Sequence, residues 1–274
     1  MDRPTSYVDA SLSLAHLCEL ETPPADLIEF AARAGFASVG LRVSAASPGG
    51  IEYPLRTGAE RTELRRRMAA TGVSVLYIEL ISLSETTRAR GYRAMFDTGA
   101  ALGASRLAVA GDSADFAVVA ERLAEICDLA RSYGIEVDLE FMPFRAVRSL
   151  GDAVDVVRRA GRPNAHILID ALHVFRSGSS LEEVARLDPA TIGTFQICDA
   201  PRVPPPPSEL VVEARTRRLL PGQGELDLWP LIGALPADIP IGVEVPLAGQ
   251  YPNLDAAARM ALLVGATRKF LSNR

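Results

Sequence analysis

The chain has 274 residues, 48% of them hydrophobic, enough to bury a large core in one domain or two. Its net charge is −5 and its 29 Lys and Arg are scattered, which excludes a polyanion-binding protein and so a nucleic-acid partner; the densest cluster, Arg61 to Arg67 (RTELRRR), has the spacing of a solvated helix face. Cys18, Cys127 and Cys198 are odd in number and widely spaced, which excludes a disulfide framework or a thiolate metal site; with no export signal and no apolar run of membrane-crossing length, a cytoplasmic location without membrane contact is expected.

In chain order, short apolar runs alternate with longer amphipathic stretches. The runs are Ser11 to His16, Ala37 to Arg42, Val73 to Leu80, Ser105 to Ala110, Ile135 to Phe141, His166 to Asp170, Thr194 to Asp199 and Ile241 to Val245. They read as eight strands. Helical patterns such as PADLIEFAARAG and DFAVVAERLAEICDLARSYG lie between them, closed by Gly35 and Gly134, and PNLDAAARMALLVGATRKFL supplies a helix after the last strand. The pattern predicts an α/β fold, a single (β/α)8 TIM barrel occupying 1–274 as one domain.

Two loop segments stand out. APRVPPPPSEL (Ala200 to Leu210) reads as a stiff, extended loop, because Pro fixes φ and lacks an N–H; it suits the rim of an active site better than a docking motif for an SH3-type partner. PGQG (Pro221 to Gly224) is either a tight turn or a cup for a phosphate.

In a TIM barrel the chemistry sits where the strands end, so polar residues there form the candidate site: His16, Arg42, Glu79, Glu140, Asp170, Gln196 and Glu244, with His173 just beyond. Residues two apart on a strand share a face, which turns Asp170 inward with Leu168 and Glu244 inward with Gly242. Glu140, Asp170, Gln196 and Glu244 then converge from consecutive strands, and three carboxylates in a partly dry site repel unless paired. A divalent cation resolves the repulsion. Oxygen donors suit Mn²⁺ or Mg²⁺, with Zn²⁺ a further option.

The motifs LEFMPF, ILIDALHVFRSG, FQICDA, LLPGQGELDL and IGVEVP resemble the xylose isomerase-like barrel superfamily, which includes sugar phosphate isomerases and epimerases, endonuclease IV and bacterial 3-dehydroshikimate dehydratases. The resemblance covers the C-terminal half closely and the N-terminal half in rhythm, best in AARAGFASVGLR. It implies that Glu140, Asp170, Gln196 and Glu244 are the metal ligands and that His173, in an Asp-x-x-His pattern, is a substrate-binding or acid/base residue. Sugar isomerases usually have His where this chain has Gln196, whereas the dehydratases are similar to it in having Gln, which makes the donor set all-oxygen. Endonuclease IV needs a His-rich zinc cluster and a basic groove; three His and a net charge of −5 supply neither.

The resemblance implies proton removal next to a carbonyl of a small polar substrate, with the cation as Lewis acid. The expected activity is that of an isomerase or epimerase in which Glu140 and Glu244 exchange the proton, with a lyase using His173 as acid the alternative, and a non-catalytic metal-binding subunit a third. Arg42, Arg176 and an arginine of EARTRRLL, Arg215, Arg217 or Arg218, are candidates to bind a substrate carboxylate or phosphate, with Arg218 the choice among the last three. Glu79 either meets a substrate hydroxyl or pairs with Arg42, and His16 either meets substrate or is a buried, hydrogen-bonded histidine. Apolar helix faces would allow a homodimer.

Overall fold

Eight parallel strands follow one another in sequence order around a closed barrel, β8 pairing back onto β1. In the computed structural model they are β1 (Leu12–Leu14), β2 (Ser38–Arg42), β3 (Ser74–Leu83), β4 (Arg106–Gly111), β5 (Glu136–Glu140), β6 (Ala165–Asp170), β7 (Ile192–Ile197) and β8 (Ile241–Val243). The structure describes residues 11–273; the parts of the expected domain and of the expected lack of an export signal that fall on residues 1–10 and 274 lie outside the described residues.

Each expected strand is present, and the differences lie at the ends. β1 stops at Leu14 because a 3₁₀ turn, His16–Glu19, begins at once. β8 stops at Val243, although Glu244 N still donates to Ile197 O at 3.1 Å; Pro246, without an N–H, closes the ladder. β3 runs on to Leu83, pairing with β4 through a register shift between Glu79 and Ile81. A strand buried on both faces has no alternation to mark where it ends.

The outer layer comprises α1 (Pro24–Ala34), α2 (Gly58–Thr71), α3 (Arg93–Ala101), α4 (Phe116–Arg131), α5 (Leu150–Ala160), the short α6 (Ala171–Arg176) and α7 (Leu181–Ala185), a single turn α8 (Leu210–Val212), α9 (Leu228–Gly233) and α10 (Ala256–Ser272). Thr57 with Glu60 and Ser149 with Asp152 form capping boxes that start α2 and α5, and Gly35 ends α1 with φ 97°. The RTELRRR run is the solvated face of α2: Glu63 bonds Arg66 and Arg67, and only Leu64 is buried. No helix is long and apolar enough to cross a membrane among the described residues, and all three cysteines are buried and unpaired.

The barrel interior is filled from its N-terminal end upward. Gly40 faces Tyr77, and a Cβ at Gly40 would fall 2.1 Å from the tyrosine ring, so glycine is what lets the ring cross the barrel. Below it, Asp138 accepts bidentately from Arg106 at 2.7 and 2.6 Å and from Thr194 Oγ1 at 2.6 Å, in space left by Gly193. A small apolar cluster, Leu80, Ala108, Ala110, Met142 and Leu168, lines the other end, where the site lies.

Candidate active site

Glu140 is the last residue of β5 and Asp170 the last of β6; Gln196 pairs in register with Asp170 across to β7, and Glu244 follows β8 directly. All lie at the C-terminal mouth. Asp170 also starts α6: its Oδ1 accepts from His173 N at 3.0 Å, so the carboxylate that ends the strand caps the helix that returns His173 to the mouth. His173 Nε2 lies 3.4 Å from Glu140 Oε1, and its ring meets Phe144 edge-on at 5.5 Å.

Arg218 enters this cluster from the β7–β8 connection. Its Nη1 donates to Asp170 Oδ2 at 2.6 Å, its Nη2 lies 2.9 Å from Glu244 Oε2 and its Nε donates to Ala214 O at 2.7 Å, leaving the side chain 2% exposed. A π turn, Glu213–Arg217, delivers it, and π turns are frequent at functional sites because they re-aim one side chain. Glu213 is clamped by Arg176 through two bonds of 2.8 and 2.7 Å, with Arg176 Nη2 also donating to Pro201 O. Arg176, expected from the sequence as a substrate contact, is placed by the structure with its guanidinium on Glu213, and it lines neither of the two cavities at the mouth.

Burial dominates the electrostatics. It pushes Glu140 well above the usual carboxylate range, with the charges of Glu244 and Asp170 adding to it. Glu244 is raised to about 7, again by burial, which Arg218 offsets only in part. At Asp170 burial pulls upward too, but Arg218 and then His173 outweigh it and hold that carboxylate below its ordinary value. His173 is lowered to about 4 by burial, so at neutral pH its imidazole is uncharged, and its Nδ1 is buried without a partner.

Do these residues fit a divalent cation? Glu140, Asp170 and His173 each offer a ligand atom within 4.8 Å of the others. Gln196 Nε2 donates toward Tyr77 Oη at 3.3 Å and Glu244 Oε1 at 3.4 Å, while its Oε1 is a buried acceptor without a partner. An orphaned carbonyl oxygen beside three acids, two of them with raised carboxyl groups, is the donor set a hard cation satisfies. His173, expected from the sequence as a substrate-binding or acid/base residue, belongs to the converging group.

Above the cluster lies a cavity of about 160 Å³ lined by Glu140, His173, Glu244, Arg42, Glu79 and Arg218, with Leu17, Leu80, Met142 and Phe144 as apolar walls. Glu79 and Arg42 pair with each other at 3.0 Å and both face the cavity. His16 does not: Nδ1 accepts from Arg42 N at 2.9 Å, Nε2 pairs with Thr22 O at 2.9 Å, and the ring, lowered to about 4 by burial, stacks on Tyr53. Of the two expected uses of His16, the geometry shows the buried, hydrogen-bonded one, both ring nitrogens being engaged by backbone groups. In PGQG the amides of Gly222 and Gly224 are turned to the protein, both donating to Asp199 Oδ2 at 3.0 Å. The Pro-rich run lines neither this cavity nor its neighbour.

Sequence reasoning missed Tyr77, Phe144 and Arg145. Gly40 opposite an aromatic strand residue was a signal for the first; for the other two the signal was their position directly after β5, on the loop that rises from Glu140.

A family model described as Xylose isomerase-like TIM barrel matches residues 28–264. The chain is 32% identical over 118 residues to an inosose isomerase of Bacillus velezensis, covering 42% of this chain and 40% of that protein, and 28% identical over 158 residues to a 3-dehydroshikimate dehydratase of Pseudomonas aeruginosa, covering 57% and 24%. The matches thus span less than half the length of either relative. Among solved structures, the IolI protein with a bound zinc atom superposes with a TM-score of 0.76 at 20% identity, over 96% of this chain and 99% of that one, a likeness of fold. Barrel topology, the matched span and the strand-end residues together establish that the chain belongs to the xylose isomerase-like TIM barrel family.

Proposed function

We propose that this protein is a divalent-cation-dependent enzyme that removes a proton next to the carbonyl of a small polyhydroxylated substrate, acting as an isomerase or epimerase. The observation that carries the reading is the floor of the cavity, where Glu140, His173 and Glu244 face one small space beside the unpartnered Gln196 Oε1. Its relatives named as inosose isomerase and 3-dehydroshikimate dehydratase support chemistry of this class.

Glu140, Asp170, Gln196 and Glu244 would hold the cation, with His173 at the edge of the set; bound there, it would polarise the substrate carbonyl and stabilise the negative charge that proton removal creates. Oxygen donors favour Mn²⁺ or Mg²⁺, and the nearby imidazole nitrogen favours Mn²⁺ of the two and keeps Zn²⁺ in contention. Glu140 and Glu244 rise from strands on different sides of the mouth, so that one takes the proton and the other returns it to the opposite face. His173 hydrogen-bonds a substrate hydroxyl through a ring nitrogen. Arg218 orients Asp170 and Glu244 rather than touching solvent. Leu17, Leu80, Met142 and Phe144 exclude water from the reacting carbon.

The second reading is a lyase that expels a β-hydroxyl. It is favoured by Gln196, an amide at the position where the family's dehydratases resemble this chain in having Gln, and it requires an acid for the leaving group. A histidine lowered to about 4 is a hydrogen-bond donor rather than a proton source at neutral pH, which is why the isomerase form is placed first. We place the protein in the cytoplasm, where three buried free thiols are stable.

The test is proton NMR in D₂O with Mn²⁺ removed after reaction, or with Mg²⁺, over a panel of inososes, ketoses, ketose phosphates and 3-dehydroshikimate. Metal-dependent deuteration at the α-carbon without loss of water, absent in Glu244→Gln, is the expected result; a new vinylic signal would assign the lyase instead. A purified protein that takes up no divalent cation would overturn both.

A further inference from the structure

The cations that line the cavity are Arg42, Arg145, Arg215 and Arg218. Three are committed. Arg42 pairs with Glu79, Arg145 with Asp112, and Arg218 with Asp170 and Glu244. The Arg215 side chain makes no hydrogen bond and no ion pair among the described residues, although Arg217, two residues on, bonds Glu209 at 2.7 Å. The π turn aims Arg215 at the mouth, where it lines both the 160 Å³ cavity and an adjoining outer cleft of about 770 Å³.

The charges of the site can be balanced group by group. With the site filled as proposed above, Arg218 and a divalent cation together balance Glu140, Asp170 and Glu244. Arg42 balances Glu79, Arg145 balances Asp112, and Glu52, which lines the outer cleft, is balanced by Arg56 at 3.7 Å. What remains is the single positive charge of Arg215, which, like Arg145, lines both spaces. A guanidinium held free at the rim of a partly apolar cavity is a receptor for a planar anion, and a second guanidinium lining the same spaces deepens the positive potential there.

We propose that the substrate is a monoanion, a polyhydroxylated carbonyl compound bearing a carboxylate, and that Arg215 binds that carboxylate at the junction of the two cavities, with Arg145 lining the same spaces. The inference rests on the carbonyl-activating site proposed above and holds for its isomerase and lyase forms alike. A neutral polyol leaves the charge of Arg215 uncovered. A phosphate monoester, carrying nearly two charges, exceeds what one uncommitted guanidinium balances. Among the relatives' named substrates, 3-dehydroshikimate bears a carboxylate and inosose does not.

The test uses the Mn²⁺-loaded full chain and reads binding by calorimetry for shikimate, quinate and gluconate, each beside its neutral methyl ester or amide and beside glucose 6-phosphate. The expected result is a preference of about tenfold to a hundredfold for at least one carboxylate over its neutral counterpart, the range of one charge-assisted hydrogen-bonded pair. That preference should fall with added salt, vanish in Arg215→Gln, return in part in Arg215→Lys and persist in Arg217→Gln. Arg215 is exposed and unpartnered, so its replacement should leave the melting temperature and the bound-metal content unchanged. No preference for any carboxylate, tighter binding of the phosphate, or equal weakening of acid and ester in Arg215→Gln would each overturn the proposal. α-Deuteration followed in parallel separates the two readings: exchange without carboxylate preference removes this one alone, and preference without exchange removes the carbonyl chemistry alone.

Discussion

Asp138 and Glu140 sit two residues apart on β5, pointing into the same barrel, and they live in opposite worlds. Asp138, toward the N-terminal end, has Arg106 on both oxygens and Thr194 besides, in a pocket that Gly193 leaves open. Glu140, at the C-terminal end, has Glu244 and Asp170 for neighbours, a neutral imidazole at 3.4 Å and a carboxyl group raised well above its usual range by burial. The lower carboxylate closes its local charge and hydrogen bonding within the protein. The upper one does not, and Gln196 Oε1 and His173 Nδ1 beside it are left without partners as well. Folding is served at one end of the strand, and at the other stability is given up for a site that something else must complete.

The comparison can be broken by substitution. Glu244→Gln should lower α-proton exchange by roughly 10²–10⁴-fold, the contribution of a positioned acid/base group, with the melting temperature held or raised. Rates over the substrate panel beside thermal melts check both halves. Asp138→Ala should do the reverse, costing about 3–5 kcal/mol in urea unfolding because Arg106 is left without its partner in a mostly buried position, while the cation content of the folded protein is preserved. Were Glu140→Gln to destabilise the metal-free protein as much as Asp138→Ala, the contrast between the two ends would be wrong; removing a buried, repelled acid should instead leave stability level or improve it.

Protons sharpen the same contrast. Glu244, at about 7, is largely protonated in the metal-free protein below neutrality, and burial makes Glu140 hold its proton more tightly than an ordinary carboxyl; a cation must displace such protons. Affinity for Mn²⁺ should therefore fall as pH drops from 7 to 6, by about tenfold for each proton displaced, with proton release visible by calorimetry in buffers of different ionisation enthalpy. His173 contributes nothing in that window because its change of charge lies near 4. The stability of the metal-free chain carries the matching sign. Glu244 binds its proton more tightly folded than unfolded, so its contribution is fully present below about 4.5 and is lost as pH rises toward 7; His16 and His173, lowered from 6.5 to about 4, act oppositely between those values. The smallest effect should come from Thr194→Val, which removes one bond to Asp138 and costs about 1 kcal/mol with no change in cation binding.

The barrel and the acids at its strand ends were readable because both rest on short-range periodicity. Alternation along HILID and IGVEV fixes which side of a strand faces inward, and parallel order fixes which end is the mouth, so Asp170 and Glu244 follow from a few residues each. Arginines were not readable in that way. Arg176 lies three residues past His173 and resembles a rim residue, yet it turns outward to meet Glu213, 37 positions away, while Arg218 turns inward to Asp170, 48 positions away. Where a long, flexible cation ends up depends on the path of a connection, here a π turn that no local spacing announces. The end of β3 was hidden for a related reason: its continuous apolar run gives no period to count.

Glu140, Asp170 and Glu244 are strand ends, or one residue beyond, whereas Arg215 and Arg218 both come from the connection between β7 and β8. That connection is fastened independently of the barrel wall, by Arg176 on Glu213 and by Asp199, whose carboxylate gathers the amides of Ala200, Gly222, Gly224 and Leu226. In the reading we propose, the equipment for breaking a C–H bond and the means of choosing whose bond to break are thus written in separate stretches of chain. On that reading, exchange of a single exposed side chain on the π turn would change the charge of the molecules admitted without disturbing a strand, so descendants of this barrel could inherit one reaction and diverge in diet.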